Sequence, residues 1–192
     1  MKLRRGAELS KGKVLYWLQG FCIECVPSHD GRWHVGHFDR EEFESLRENT
    51  IALLKDDEFH FMLKVGKGFS VKARCVSANG TFVFSVHRDP DATMAAIIAV
   101  DAYQNEIFRV STTTHLTSCA LSEFSEYLAL SFSGSHDKED PYRNRLEVYN
   151  LKTGEVISSM DKGTDLLYAE VVVTEPDGNV VAFFKGKTFK VC

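Results

Sequence analysis

Apolar residues along this chain come in short runs of strand length, separated by polar turns, and no run keeps a helical period for long. Four stretches share one layout of apolar strand, polar turn and second apolar strand: residues 25–35, 75–84, 119–128 and 172–181. Three of their turns contain Asp30-Gly31, Asn79-Gly80 or Asp177-Gly178. These dipeptides suit tight hairpins because both residues tolerate a positive φ. A second hairpin follows each of the first three stretches. Residues 51–54 turn through Lys55, Asp56, Asp57 and Glu58 into 59–61, and residues 97–100 turn through Tyr103, Gln104, Asn105 and Glu106 into 107–110. Residues 146–149 turn through Leu151, Lys152, Thr153, Gly154 and Glu155 into 156–158.

Each unit is therefore two hairpins, or four short antiparallel strands, repeating every 40 to 50 residues or so. That is the sequence pattern of a β-propeller blade. Cys25, Cys75 and Cys119 align as one repeat position. The fourth unit runs out near Val191, one strand short, while residues 9–16 line up with residues 151–158. The pattern predicts that the strand from Lys13 to Leu18 completes the last blade and closes the ring without a covalent link, removing two strand edges. The expected fold is an all-β, antiparallel β-propeller of about four blades closed by the N-terminal strand, with residues 1–192 forming one domain. A half-propeller that dimerises to close and a β-sandwich are the alternatives, so the chain is expected to be a monomer or a homodimer.

The segments 148–157 and 28–33 resemble degenerate blades of WD-repeat propellers. Asn150 stands about where that family places its Trp-Asp pair, and the Gly-His pair that opens such repeats is missing. For the family, the resemblance implies a rigid platform for protein partners.

The 192 residues carry a formal net charge of −4, which argues against nucleic acid as a partner. Two basic groups stand out, Lys2, Arg4, Arg5, Lys11 and Lys13, and then Lys64, Lys67, Lys72 and Arg74; both read as solvated tail and strand edges. No aromatic platform is evident among them. The N-terminal residues lack a signal-peptide core, and the longest apolar run, 94–100, is too short to span a bilayer. Five cysteines without a secreted framework point to a reducing cytoplasm.

Cys22 and Cys25, followed by His29, His34 and His37, have zinc-site spacing on paper. In a strand, however, Cys22 and Cys25 point to opposite faces, as do His34 and His37. Core packing explains the cysteines better, and no metal or cofactor is expected. Ser28-His29-Asp30 and Ser135-His136-Asp137 spell a hydrolase triad in consecutive letters, but adjacent side chains diverge, and these are turn residues. Gly66-Lys67-Gly68 lacks the length of a phosphate loop. The rival to a non-enzymatic reading is a metal-dependent hydrolase with channel-lining carboxylates, drawn from Glu24, Asp101, Glu170 and Glu175.

The three complete units differ in length mainly between their second and third strands. The insertions are residues 39–49, 87–94 and 134–145, and on a propeller they would share one rim. Scaffold-mounted loops are where binding function concentrates. Asp39 and Glu42 read as a capping box before a short helix bearing Phe43 and Leu46. Arg40, Phe43, Arg88, Tyr142 and Arg143 are the expected protein-binding residues, because Tyr and Arg dominate interface energetics. The function expected is a non-enzymatic protein-interaction module, in one specific version a stand-alone binder or neutraliser of a partner protein.

Overall fold

The apolar runs fold as antiparallel strands, and the turns between them are held by their own side chains. Ser28 Oγ donates to Asp30 at 2.6 Å and accepts the Trp33 N–H at 3.0 Å. Ser77 Oγ donates to Asn79 at 2.6 Å, and Asn79 accepts the Thr81 N–H at 3.1 Å. Ser122 Oγ accepts the Tyr127 N–H at 2.9 Å. All three serines are buried. The same chemical solution thus recurs at the first turn of three successive units. The second turns repeat as well. Asp101 accepts the N–H groups of Tyr103 and Asn105, and Asn150 accepts those of Lys152 and Thr153.

The computed structural model describes residues 3–18, 21–38, 49–88, 93–135, 137–162, 170–173, 179–184 and 187–190. Regular structure among them is strand, apart from one 3-10 turn at Ser10–Gly12. No helix among the described residues is long and apolar enough to cross a membrane. The chain divides into two compact units, Met1–Arg109 and Val110–Cys192.

In the first unit, six strands lie side by side in chain order: β1 (Leu3–Glu8), β2 (Val14–Leu18), β3 (Phe21–Pro27), β4 (Trp33–Phe38), β5 (Thr50–Lys55) and β6 (Glu58–Lys64). A second sheet holds β7 (Phe69–Val76), β8 (Phe82–Arg88), β9 (Thr93–Val100) and β10 (Glu106–Ser111). One face of the first sheet packs Trp33, Val35, Ile51, Leu53 and Phe61 against Val71, Ala73, Phe82, Phe84 and Ile98 of the second. Gly80 makes this contact possible. A Cβ there would stand 2.8 Å from the Trp33 indole, and its φ of 84° is one that glycine adopts freely. The other face of the first sheet buries Val14, Tyr16, Ile23, Cys25, Phe38, Ala52 and Leu54.

The second unit holds a four-stranded sheet of β11 (Leu116–Leu121), β12 (Tyr127–Phe132), β13 (Arg145–Asn150) and β14 (Val156–Asp161). Beside it are β15 (Glu170–Val173), β16 (Val180–Phe184) and β17 (Lys187–Lys190). Ala129, Leu146 and Val148 pack on Val171, Val173 and Val180. The Val171 N–H reaches across to Ser118 Oγ at 3.1 Å.

Two expectations change. The N-terminal strand does not complete the last sheet: β2 pairs with β3, with Leu18 opposite Phe21 and Val14 opposite Cys25. A two-residue connection makes this local hairpin cheap, whereas pairing with the far end of the chain would cost far more loop entropy. β1 then adds outside β2, so the first sheet carries two strands beyond a four-stranded blade. The cysteine alignment also holds only in part. Cys25 and Cys119 face the fourth residue of the following strand, Gly36 and Leu130. A bulge between Ala73 and Cys75 shifts Cys75 opposite Val83, the second residue.

Candidate functional site

Of the three expected insertions, the β12–β13 loop is the one most fully described, and it is tightly built. Asp140 is its hub. Its carboxylate accepts the hydroxyls of Thr112 and Thr113 at 3.0 and 2.9 Å and the N–H groups of Tyr142 and Thr113 at 3.0 and 3.2 Å. Burial works against the charge, but the Tyr142 N–H and the threonine hydroxyls outweigh it and hold this carboxyl below its usual range. Ser135 Oγ accepts the Asp137 N–H, and Asp137 accepts the Glu139 N–H. Asn144, at a φ of 58°, closes the loop by donating its N–H to the Ser133 carbonyl at 2.9 Å.

Tyr142 is half-buried. Its ring lies 5.2 Å from that of Phe132, and its hydroxyl shares a hydrogen bond with Tyr149. The Tyr149 hydroxyl in turn donates to buried Glu147, and burial together with that bond pushes the Tyr149 phenol well above its usual range. Tyr142 thus anchors the loop to its own sheet, while the neighbouring Arg143 is exposed. Arg88 belongs to the other unit, exposed at the end of β8 between Phe69 and Thr93 in the ladder. The insertion it was assigned to is shorter than expected, because His87, Thr93 and Met94 are also strand residues. Arg40 and Phe43, with the short helix expected around them, lie outside the described residues.

The zinc-like residues fall on two faces of the first sheet. Cys25 and His34 are buried on one face, while Cys22 and His37 are half-buried on the other. Among the described residues, no three His, Cys, Asp or Glu side chains gather as metal ligands would. Gly36 lies directly across from Cys25, and a Cβ on it would stand 2.4 Å from the sulfur. The carboxylates proposed for a channel are dispersed. Glu24 pairs with Lys13 at 2.5 Å, Asp101 is spent on its turn, Glu170 is exposed at the start of β15, and Glu175 lies outside the described residues.

Three features were missed in the sequence. Lys162 is buried and donates to Ser131 Oγ at 2.8 Å, and burial pushes its ammonium down to about 8. The pair resembles a serine–lysine dyad, but Ser131 has no exposed surface for a substrate to reach. Trp17 is 44% exposed and lies over Gly6, where a Cβ would stand 3.2 Å from the indole nitrogen. Thirdly, the two separate basic groups lie on neighbouring elements: Lys13 pairs with Glu24 on β3 at 2.5 Å, and β3 packs against β7, which carries Lys72 and Arg74. Nothing in local sequence signals such an arrangement.

No protein-family model matches the chain, and no curated protein does so either. Solved structures do. The β-propeller domain of Swd1 from Myceliophteria thermophila aligns with 94% of this chain at a TM-score of 0.52 and 10% identity. A chain of the mitotic checkpoint complex aligns with 94% at a TM-score of 0.53 and 14% identity. The fold is that of a β-propeller. This propeller chain spans 66% of the first structure's length and 58% of the second's. At such identities the likeness concerns the fold alone.

Proposed function

We propose that this propeller-type chain is a non-enzymatic protein-interaction module, and that it acts as a stand-alone binder or neutraliser of a partner protein through its long β-connections. The observation that carries the reading is the β12–β13 loop. Four donors lock Asp140, the Tyr142 ring is packed down, and Arg143 is left exposed on a loop that needs little ordering to bind. Arg88, Arg40 and Phe43 extend the proposed contact set. A reducing cytoplasm suits the protein, since Cys25 is a buried thiol.

The test is capture of partners from the native cell with the tagged chain, scored by quantitative mass spectrometry. Tyr142 is a poor probe, because truncating it would loosen the loop. Arg143→Glu and Arg88→Glu, singly and together, should cut recovery of a specific partner by tenfold or so while leaving the thermal midpoint unchanged. Recovery that is identical for all variants would count against these residues as contacts.

A further inference from the structure

Among the described strands, each sheet ends in two that pair on one side only, and most of these edges are charged. Arg4 of β1, Lys64 of β6, Lys72 of β7, Arg109 of β10, Glu170 of β15 and Lys190 of β17 are examples. Such charges discourage an added strand, which would strip their water. Two edges differ, β11 and β14, both in the second unit. β11 is covered, because β15 packs beside it and the Val171 N–H reaches Ser118 Oγ at 3.1 Å. β14 pairs with β13 alone among the described strands, and Val156–Met160 carries no charge.

β14 also buries the least of any fourth strand. β6 buries Phe61, and β10 buries Phe108 and Val110. No residue of β14 is buried, and Val156 and Ile157 are 49% and 47% exposed. β6 and β14 each contain a bulge. In β6 the extra residue is His60, whose ring meets Trp33 edge-on at 5.3 Å and whose Nε2 donates to the Ala102 carbonyl at 3.1 Å. In β14 it is Ile157, since Val156 stands opposite Tyr149 and Ser158 opposite Val148. A position that the first unit spends on internal contacts therefore presents an exposed isoleucine here. Past the bulge, Ser158–Asp161 keeps unbroken register with β13. Ser159 Oγ donates to buried Glu147 at 3.2 Å and accepts from Arg145 at 2.7 Å, which fixes this stretch. An ordered, uncharged edge offers its backbone N–H and C=O groups to an incoming strand.

We propose that β14 accepts an extended segment of a protein partner as a fifth strand, apolar along its length and basic at the end that meets Glu155. Val156 and Ile157 supply the apolar contact. A foreign segment is favoured over a second copy of this chain by charge. Glu155 is exposed just before the strand, and Asp161 ends it. A second β14 laid parallel sets Glu155 beside Glu155. Laid antiparallel, it brings Glu155 towards Asp161, a repulsion that Arg145, opposite Asp161 in the ladder, only partly offsets. Like charges facing each other destabilise a strand pair, and two chains of net charge −4 repel at long range. A basic end turns the same Glu155 into an attraction. The site is a different element from the β12–β13 loop and does not depend on Arg143.

The test uses the full chain with capped peptides of about seven residues, a strand's length, read by calorimetry and amide exchange. Val, Ile, Leu or Phe alternates with Thr, and two Lys, two Glu or neither stand at one terminus or the other. At least one Lys-ended peptide should bind, slow exchange within Val156–Asp161, and exceed its Glu-ended counterpart by about threefold or more. Methylating alternate peptide nitrogens should abolish binding in one of the two frames, because strand addition runs through main-chain hydrogen bonds. Ile157→Lys should weaken binding about tenfold, and Glu155→Lys should reverse the preference for end charge. Both side chains are exposed, and unfolding midpoints confirm that the variants fold. Arg143→Glu should leave the affinity unchanged, which separates this edge from the loop. The proposal is overturned if no Lys-ended peptide binds, if binding survives methylation in both frames, or if it is indifferent to Ile157→Lys. Self-association in sedimentation that Ile157→Lys abolishes would assign the edge to a second copy and overturn it equally.

Discussion

His34 occupies a place where the other repeats put an aliphatic side chain. It is the second residue of β4, as Val83 is of β8 and Leu128 of β12, and all three are buried. Its Nδ1 is buried without a hydrogen-bond partner, and its ring meets the Tyr16 ring edge-on at 5.2 Å. Burial lowers its affinity for a proton. Asp57 pulls the other way, Arg5 reinforces burial, and Asp30 adds a weaker pull. The unfolded chain therefore binds a proton more readily than the folded one, so stability falls as pH drops through about 6.5, the ordinary histidine range. Replacing His34 with Leu, as in the third repeat, should flatten the fall in urea midpoint between neutral and mildly acidic pH. The comparison of wild type with variant matters more than either curve. Parallel curves would mean that His34 does not carry the effect.

At the scale of elements, the turns were the most legible part of the chain. Ser28, Ser77 and Ser122 sit at one repeat position, and their side chains satisfy the turn backbone locally, so a few consecutive residues suffice to specify each turn. The β12–β13 loop was legible as an insertion but not as a structure, because its hub joins residues far apart in sequence. Asp140 gathers Thr112 and Thr113 from the link before β11. Asp140→Ala should cost about 1–2 kcal/mol, the scale of losing hydrogen bonds to a partly exposed charge. It should also speed amide exchange at Thr113 and Tyr142, whose N–H groups the carboxylate accepts. The carboxyl sits below its usual range when folded, so its contribution is present at neutral pH and lost as pH falls through that lowered value. Unchanged exchange at both amides would show that the loop is held by other means. Tyr142 drew attention for its residue type. Only its packing on Phe132 reveals that it serves the loop before any partner.

At the scale of the whole molecule, the four-strand repeat was readable from periodicity, but the strand Leu3–Glu8, within a stretch that reads as solvated tail, and the partner of the strand after it were not. The segment 13–18 carries a pattern fit for either sheet edge, and the choice falls to short-range pairing and to buried contacts. Tyr16 makes one of those contacts. It is fully buried in the first sheet and donates its hydroxyl to Asp57, in the β5–β6 turn, at 2.5 Å; Arg5 on β1 approaches the same carboxylate at 3.4 Å. The hydrogen bond from Tyr16 leads, with Arg5 assisting, in holding the Asp57 carboxyl below its usual range, while burial pushes the Tyr16 phenol up. A strand placed at the far end of the chain could not touch this turn within the first sheet. Tyr16→Phe and Asp57→Asn, singly and combined, therefore report where β2 lies. A hydrogen bond to a carboxylate contributes about 1.5–3 kcal/mol when shielded, and partial exposure of Asp57 reduces the expected coupling to about 1 kcal/mol. Chemical denaturation of the four proteins should show the double variant less destabilised than the two singles combined. Strict additivity would show that Tyr16 and Asp57 do not act together and would detach β2 from the β5–β6 turn.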